Sequence, residues 1–183
     1  MLFRSRIQVA GVGWYGLMWK PTAASAEVLG FTRDHGVLAA TDDPELLALV
    51  AGFLFSEGLI RDLTDVRRME ACVGVPGTVN VELVDPAQAR PRRRDVSVTS
   101  SCGVCGDGDG IGGMLDGLAP VGQRLCLGRE QFGWLMGAMR ELQTIFDQTG
   151  GAHAAALFDA EAGILALAED LGRHNALDKV IGQ

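Results

Sequence analysis

Thr149-Gly150-Gly151-Ala152-His153-Ala154-Ala155-Ala156-Leu157-Phe158 runs on through Asp159-Ala160-Glu161-Ala162-Gly163 to Ile164-Leu165-Ala166-Leu167-Ala168. A glycine break, an apolar run, a polar turn and a second apolar run follow one another. Each run is short and bounded by turn residues, which predicts two strands, at 152–158 and 164–168. Upstream, the segment 129–146 carries Phe132, Leu135, Met136, Met139, Leu142 and Phe146 at helical spacing, an amphipathic helix whose Met and aromatic stripe should face the core. Downstream, a short helix should start near Arg173. Helix, strand, strand, helix is the order of an α/β or α+β layer.

The first half of the chain reads differently. Residues 1–40 suggest short strands and turns, punctuated by Gly11, Gly13, Gly16 and Gly30. Arg4 and Arg6, the apolar run from Ile7 to Trp19 and Ala24-Ser25-Ala26 have the outline of a secretory signal peptide. The glycines and aromatic residues in that run, and its lack of a leucine-rich centre, argue against export. Thr41-Asp42-Asp43-Pro44 supplies capping side chains and an early proline, so a helix should occupy 45–56. It is apolar almost all round and should be buried, with Gly58 ending it. Weak alternation over 73–84 around Pro76-Gly77 suggests a hairpin. The Pro- and Arg-rich stretch 85–95 is the best boundary, dividing an N-terminal α+β lobe (1–90) from a second unit (91–183).

The chain of 183 residues is 48% apolar and 21% charged, the composition of a globular protein with a real core. Its net charge of −7 argues against general nucleic-acid binding, and no segment is long and apolar enough to span a bilayer. Arg90, Arg92, Arg93 and Arg94 form the one basic cluster, either a solvated linker or a phosphate-attracting rim.

Of the four cysteines, Cys72 and Cys126 stand alone and should be buried thiols. Cys102 and Cys105, in Ser101-Cys102-Gly103-Val104-Cys105-Gly106, form a C-x-x-C pair with a glycine after each thiol. A packing cysteine needs neither a second thiol nor glycines. Glycine N–H groups can point at a thiolate and lower its pKa. Zinc would require two further ligands, and His153 and His174 are far away in sequence. A thioredoxin-type site would sit at a helix start soon after the first strand. A structural pair and a sulfur carrier holding a persulfide complete the set of readings.

Two further constellations bear on the choice. Gly150-Gly151-Ala152-His153 would let backbone approach a ligand closely, although a lone His among small residues is more often a hydrogen-bonded core histidine. Glu169-Asp170-Leu171-Gly172-Arg173-His174-Asn175-Ala176-Leu177-Asp178-Lys179 concentrates polar side chains at a helix start, where free N–H groups favour an anion. A phosphate- or pterin-binding role for this turn competes there with an internal ion-pair network.

These stretches, in this order and together with Gly52-Phe53-Leu54-Phe55-Ser56-Glu57-Gly58, resemble the FdhD/NarQ family of formate dehydrogenase accessory sulfurtransferases. The resemblance runs from about Val37 to Gly182. It implies a cytidine-deaminase-like three-layer α/β/α core, without the zinc pattern of a deaminase. It implies a cytoplasmic, homodimeric sulfurtransferase. Such a protein takes sulfur from a cysteine desulfurase and passes it to the molybdenum (or tungsten) bis(guanine dinucleotide) cofactor of formate dehydrogenase. Cys102 would carry the persulfide with Cys105 as its partner, Arg173 and His174 would contact the cofactor, and no permanent metal is implied. The alternative is a non-catalytic chaperone module that grips the nucleotide-bearing cofactor. Family members continue past the position of Gln183, so the core of this chain is expected to be incomplete at its C-terminal side. An open sheet edge should then make it unstable, swapped into a dimer or dependent on another chain.

Overall fold

A computed structural model describes residues 3–19, 44–72, 75, 78–89, 126–159 and 163–183. The N-terminal part is a four-stranded sheet in the order β2-β1-β4-β3, formed by β1 (Phe3–Val9), β2 (Gly13–Trp19), β3 (Val66–Ala71) and β4 (Thr78–Leu83). β1 runs antiparallel to β2 and parallel to β4, and β3 and β4 are antiparallel. Residues 3–19, within the segment that has the outline of a leader, form a hairpin, and Ile7, Val9 and Leu17 belong to the core. The expected hairpin over 73–84 is present but displaced. Its first strand is Val66–Ala71, whose Arg67-Arg68 pair hid the alternation, and its turn lies largely outside the described residues.

One helix, α1 (Pro44–Ser56), lies on the inner face of this sheet. Leu46, Leu49, Val50, Phe53 and Leu54 pack with Ile7, Met69, Val79 and Val81 in one core. On the strands, buried and more exposed residues alternate, as in Val79, Asn80, Val81, Glu82, Leu83, because successive side chains point to opposite faces. α1 is buried on its other side too, against the C-terminal helix α4 (Arg173–Ile181), which explains why its sequence has no polar face.

The second part contains α2 (Arg129–Glu141), α3 (Thr144–Thr149), the antiparallel hairpin β5 (His153–Asp159) and β6 (Gly163–Asp170), and α4. Ala155, Ala166, Ala168 and Val180 form the seam between the hairpin and α4. The fold is mixed α/β, as expected. β6 is three residues longer than read: Gly163 joins at its start, and Glu169 and Asp170 remain in the strand, paired with Ala154 and His153.

The single helix over 129–146 is two helices, broken at Gln143, whose ψ of 76° is not helical. The cause is Glu169. Its carboxylate accepts hydrogen bonds from the N–H groups of Ile145 (2.7 Å) and Phe146 (2.9 Å), which a continuous helix would direct to the preceding turn. The apolar stripe is also not a core face: Leu135 is buried, but Phe132, Met136 and Leu142 are about half exposed or more. Cys126 is likewise exposed and Cys72 only half-buried, so neither is the buried thiol its apolar surroundings suggested.

Helix α1 approaches α4 backbone to backbone. A Cβ added at Gly52 would lie 1.8 Å from the carbonyl oxygen of Asp178, and one at Gly182 would lie 1.9 Å from that of Ala48. The two glycines are therefore what permits this helix pair to seat. The contact joins the parts of the chain on either side of the expected boundary at 90/91, while residues 90–125 lie outside the described set.

Candidate functional site

The end of β6 organises the polar turn. Successive strand residues point to opposite faces, so Glu169 and Asp170 serve different helices. Both are fully buried. Glu169 caps α3 from outside that helix, supplying the acceptor that an N-cap side chain would normally provide. Replacing Glu169 by Ala is expected to cost about 2 kcal/mol, since it leaves buried donors without that acceptor. Hydrogen exchange should show the loss first at the amides of Ile145 and Phe146; protection unchanged there would contradict the cap.

Asp170 serves α4. Its Oδ1 accepts from the backbone N–H of Gly172 (3.0 Å) and from Asn175 Nδ2 (3.1 Å), while its Oδ2 meets Lys179 Nζ at 2.8 Å. Lys179 is fully buried, and its ammonium also reaches Glu45 Oε1 at 2.8 Å and the carbonyl oxygen of Glu169 at 2.9 Å. Three oxygens around three N–H donors is a fully used ammonium. At the neighbouring position on α4, Asp178 Oδ1 accepts from Ser56 Oγ at 2.6 Å. Of the two roles weighed for the Glu169–Lys179 block, the internal network thus claims Glu169, Asp170, Asn175, Asp178 and Lys179.

Arg173 is exposed at the first position of α4, and His174 beside it is half-buried. The N-cap, Gly172, has no side chain of its own to cap this helix end, and its N–H goes to the Asp170 carboxylate. The arrangement presents a cation and an imidazole at the positive end of a helix, set on a rigid base. His153, read as a core histidine, is exposed on β5 opposite Asp170 in register. Gly150 is the left-handed C-cap of α3 (φ 63°), its N–H bonded to the Phe146 carbonyl oxygen at 2.7 Å, so this glycine ends a helix. Cys102 and Cys105 lie outside the described residues.

Glu45 and Ser56 were not read as part of this site. In the sequence they mark only the two ends of the expected apolar helix. Only the seating of α1 on α4 brings them to Lys179 and Asp178. Away from the site, Tyr15 packs edge-on against Phe53, and burial, aided by the negative charge of Glu57, raises its phenol above the ordinary tyrosine pKa.

Residues 32–183 match the model of the FdhD/NarQ family. A sulfur carrier protein FdhD from Corynebacterium efficiens is 37% identical over 155 residues, covering 74% of this chain and 53% of the relative. The protein of the same name from Thermoplasma acidophilum is 38% identical over 156 residues, covering 84% of this chain and 54% of the relative. The chain spans about half the length of the curated relatives it matches. Among solved structures, a candidate formate dehydrogenase accessory protein from Desulfotalea psychrophila superposes on the whole chain and on 58% of its own, with a TM-score of 0.61 and 21% identity. At that identity the likeness shows the fold.

Proposed function

Because this chain belongs to the FdhD/NarQ family, we propose that it is a sulfur carrier in the maturation of formate dehydrogenase. The family match carries the reading, and Cys102-Gly103-Val104-Cys105 supplies the chemistry it needs. The Cys102 thiolate attacks the terminal sulfur of a desulfurase persulfide. A new S–S bond forms on Cys102, the donor's S–S bond breaks, and the desulfurase cysteine leaves as a thiolate. The outer sulfur then passes to the acceptor, the molybdenum bis(guanine dinucleotide) cofactor, which is substrate and cargo here. Cys105 stands three positions away, where its thiol protects the persulfide or displaces it as hydrosulfide with formation of a disulfide.

The α4 turn supports the acceptor half of the proposal. Arg173 offers a planar cationic fork suited to phosphate, at the positive end of a helix, with His174 beside it. These two residues would grip a phosphate of the guanine dinucleotide. The working form would be a cytoplasmic homodimer, which the exposed Trp134, Leu157 and Leu165 support. The three-layer deaminase-like core is proposed on the same footing: α4 covers one face of the β5–β6 hairpin, and Glu169 on the other face holds α3.

The test is maturation of a client enzyme. In cells that lack any other such carrier, the gene encoding this chain is expected to restore formate dehydrogenase activity, and its Cys102→Ala variant is expected to leave it at background. Full restoration by Cys102→Ala would contradict the carrier role.

A further inference from the structure

We infer that Asp170, held by Lys179 and Glu45, is a positioning residue for the Arg173–His174 turn, a role that rests on that turn being where the guanine nucleotide binds. One carboxylate fixes both sides of the turn. Its Oδ1 accepts from the N–H of Gly172, immediately before Arg173, and from the side chain of Asn175, immediately after His174. Its Oδ2 is held at 2.8 Å by Lys179 Nζ, further along the same helix. The ammonium is held in turn by Glu45 on α1 and by the carbonyl oxygen of Glu169 on β6. The turn is therefore referenced to three elements at once: its own helix, the strand that enters it and the helix of the N-terminal lobe.

Asp170 and Lys179 are fully buried, so neither meets a ligand directly, and their attraction is little screened by salt. Arg173, the residue offered to a ligand, is exposed. A buried frame behind an exposed anion-binding group is the layout that fixes a helix start in one geometry. Glu45 extends the frame to α1, so the two lobes share control of the turn.

The test compares the full chain with its Asp170→Asn, Glu45→Gln and Val81→Ala variants. Hydrogen exchange at the amides of residues 172–176 is read without ligand, and guanosine diphosphate binding by calorimetry. Asparagine keeps the shape of Asp170 but turns an amide toward the Lys179 ammonium. Val81, in the core of the N-terminal sheet, is a control for lost stability alone. Asp170→Asn is expected to speed exchange in the turn and to weaken nucleotide binding, each about tenfold. Val81→Ala should leave both within about twofold at a temperature where it is folded. Glu45→Gln keeps a hydrogen bond to Lys179 without the charge and should weaken binding about threefold; it carries the test alone if Asp170→Asn does not fold. Unchanged exchange in a folded Asp170→Asn would overturn the positioning role and leave the nucleotide reading standing. Faster exchange with unchanged affinity, or equal weakening by Val81→Ala, would overturn it as well. Failure of the wild type to bind the nucleotide would overturn the reading underneath, and the role with it.

Discussion

Replacing Lys179 by Met is expected to lower the free energy of unfolding by about 3–5 kcal/mol, read as a shift of the urea midpoint. The ammonium is fully buried and meets Glu45, Asp170 and the carbonyl oxygen of Glu169. Methionine fills most of the volume but leaves Asp170 in the interior without its counter-ion. The penalty is that of an uncompensated buried charge, larger than the net worth of the pair. Replacing Asp170 by Asn and Glu45 by Gln in the same chain should therefore restore part of the loss, because the two carboxylates that lost their counter-ion are then neutral and position 170 keeps an oxygen for the Gly172 N–H. A single variant within about 1 kcal/mol of the wild type would show that the network does not carry this energy.

The second large effect is expected at Gly52. A Cβ there would sit 1.8 Å from the Asp178 carbonyl oxygen and 2.9 Å from the Asp178 Cα. The obstacle is backbone, so no side chain can swing aside; α1 and α4 must separate. Gly52→Val should cost at least about 3 kcal/mol, the upper range of overpacking, against any gain in helix propensity. Separation would also pull Ser56 from Asp178 and Glu45 from Lys179, so the N-terminal sheet and the β5–β6 hairpin should loosen together. A stable Gly52→Val protein with unchanged near-ultraviolet dichroism would contradict this seating of the helices.

Much of this architecture was legible in the residues. The strand pair before Arg173, the buried helix over 45–56 and the helix start at Arg173 follow from periodicity and turn chemistry, which are local. What escaped is non-local. The break at Gln143 depends on a carboxylate from β6 that no reading of 129–146 contains. The exposure of Phe132 and Met136 depends on what faces α2, which helical spacing does not specify. At the site, charge density marked the Glu169–Lys179 block, but which members are internal depends on the arrival of Glu45 and Ser56 from α1. Arg173 stays exposed while Gly172 before it and Asn175 after it are tied to Asp170.

Whether Cys102 takes up the sulfur is read by site-resolved mass spectrometry after incubation with a cysteine desulfurase and L-cysteine. Persulfides are alkylated, the chain is digested, and the added sulfur is located among the four cysteines. The expected result is sulfur on Cys102 and none on Cys72. Cys126 is the informative competitor, since its exposure makes it available to any indiscriminate donor. Sulfur on Cys126 alone, or on no cysteine of the folded protein, would rule out Cys102 as the carrier.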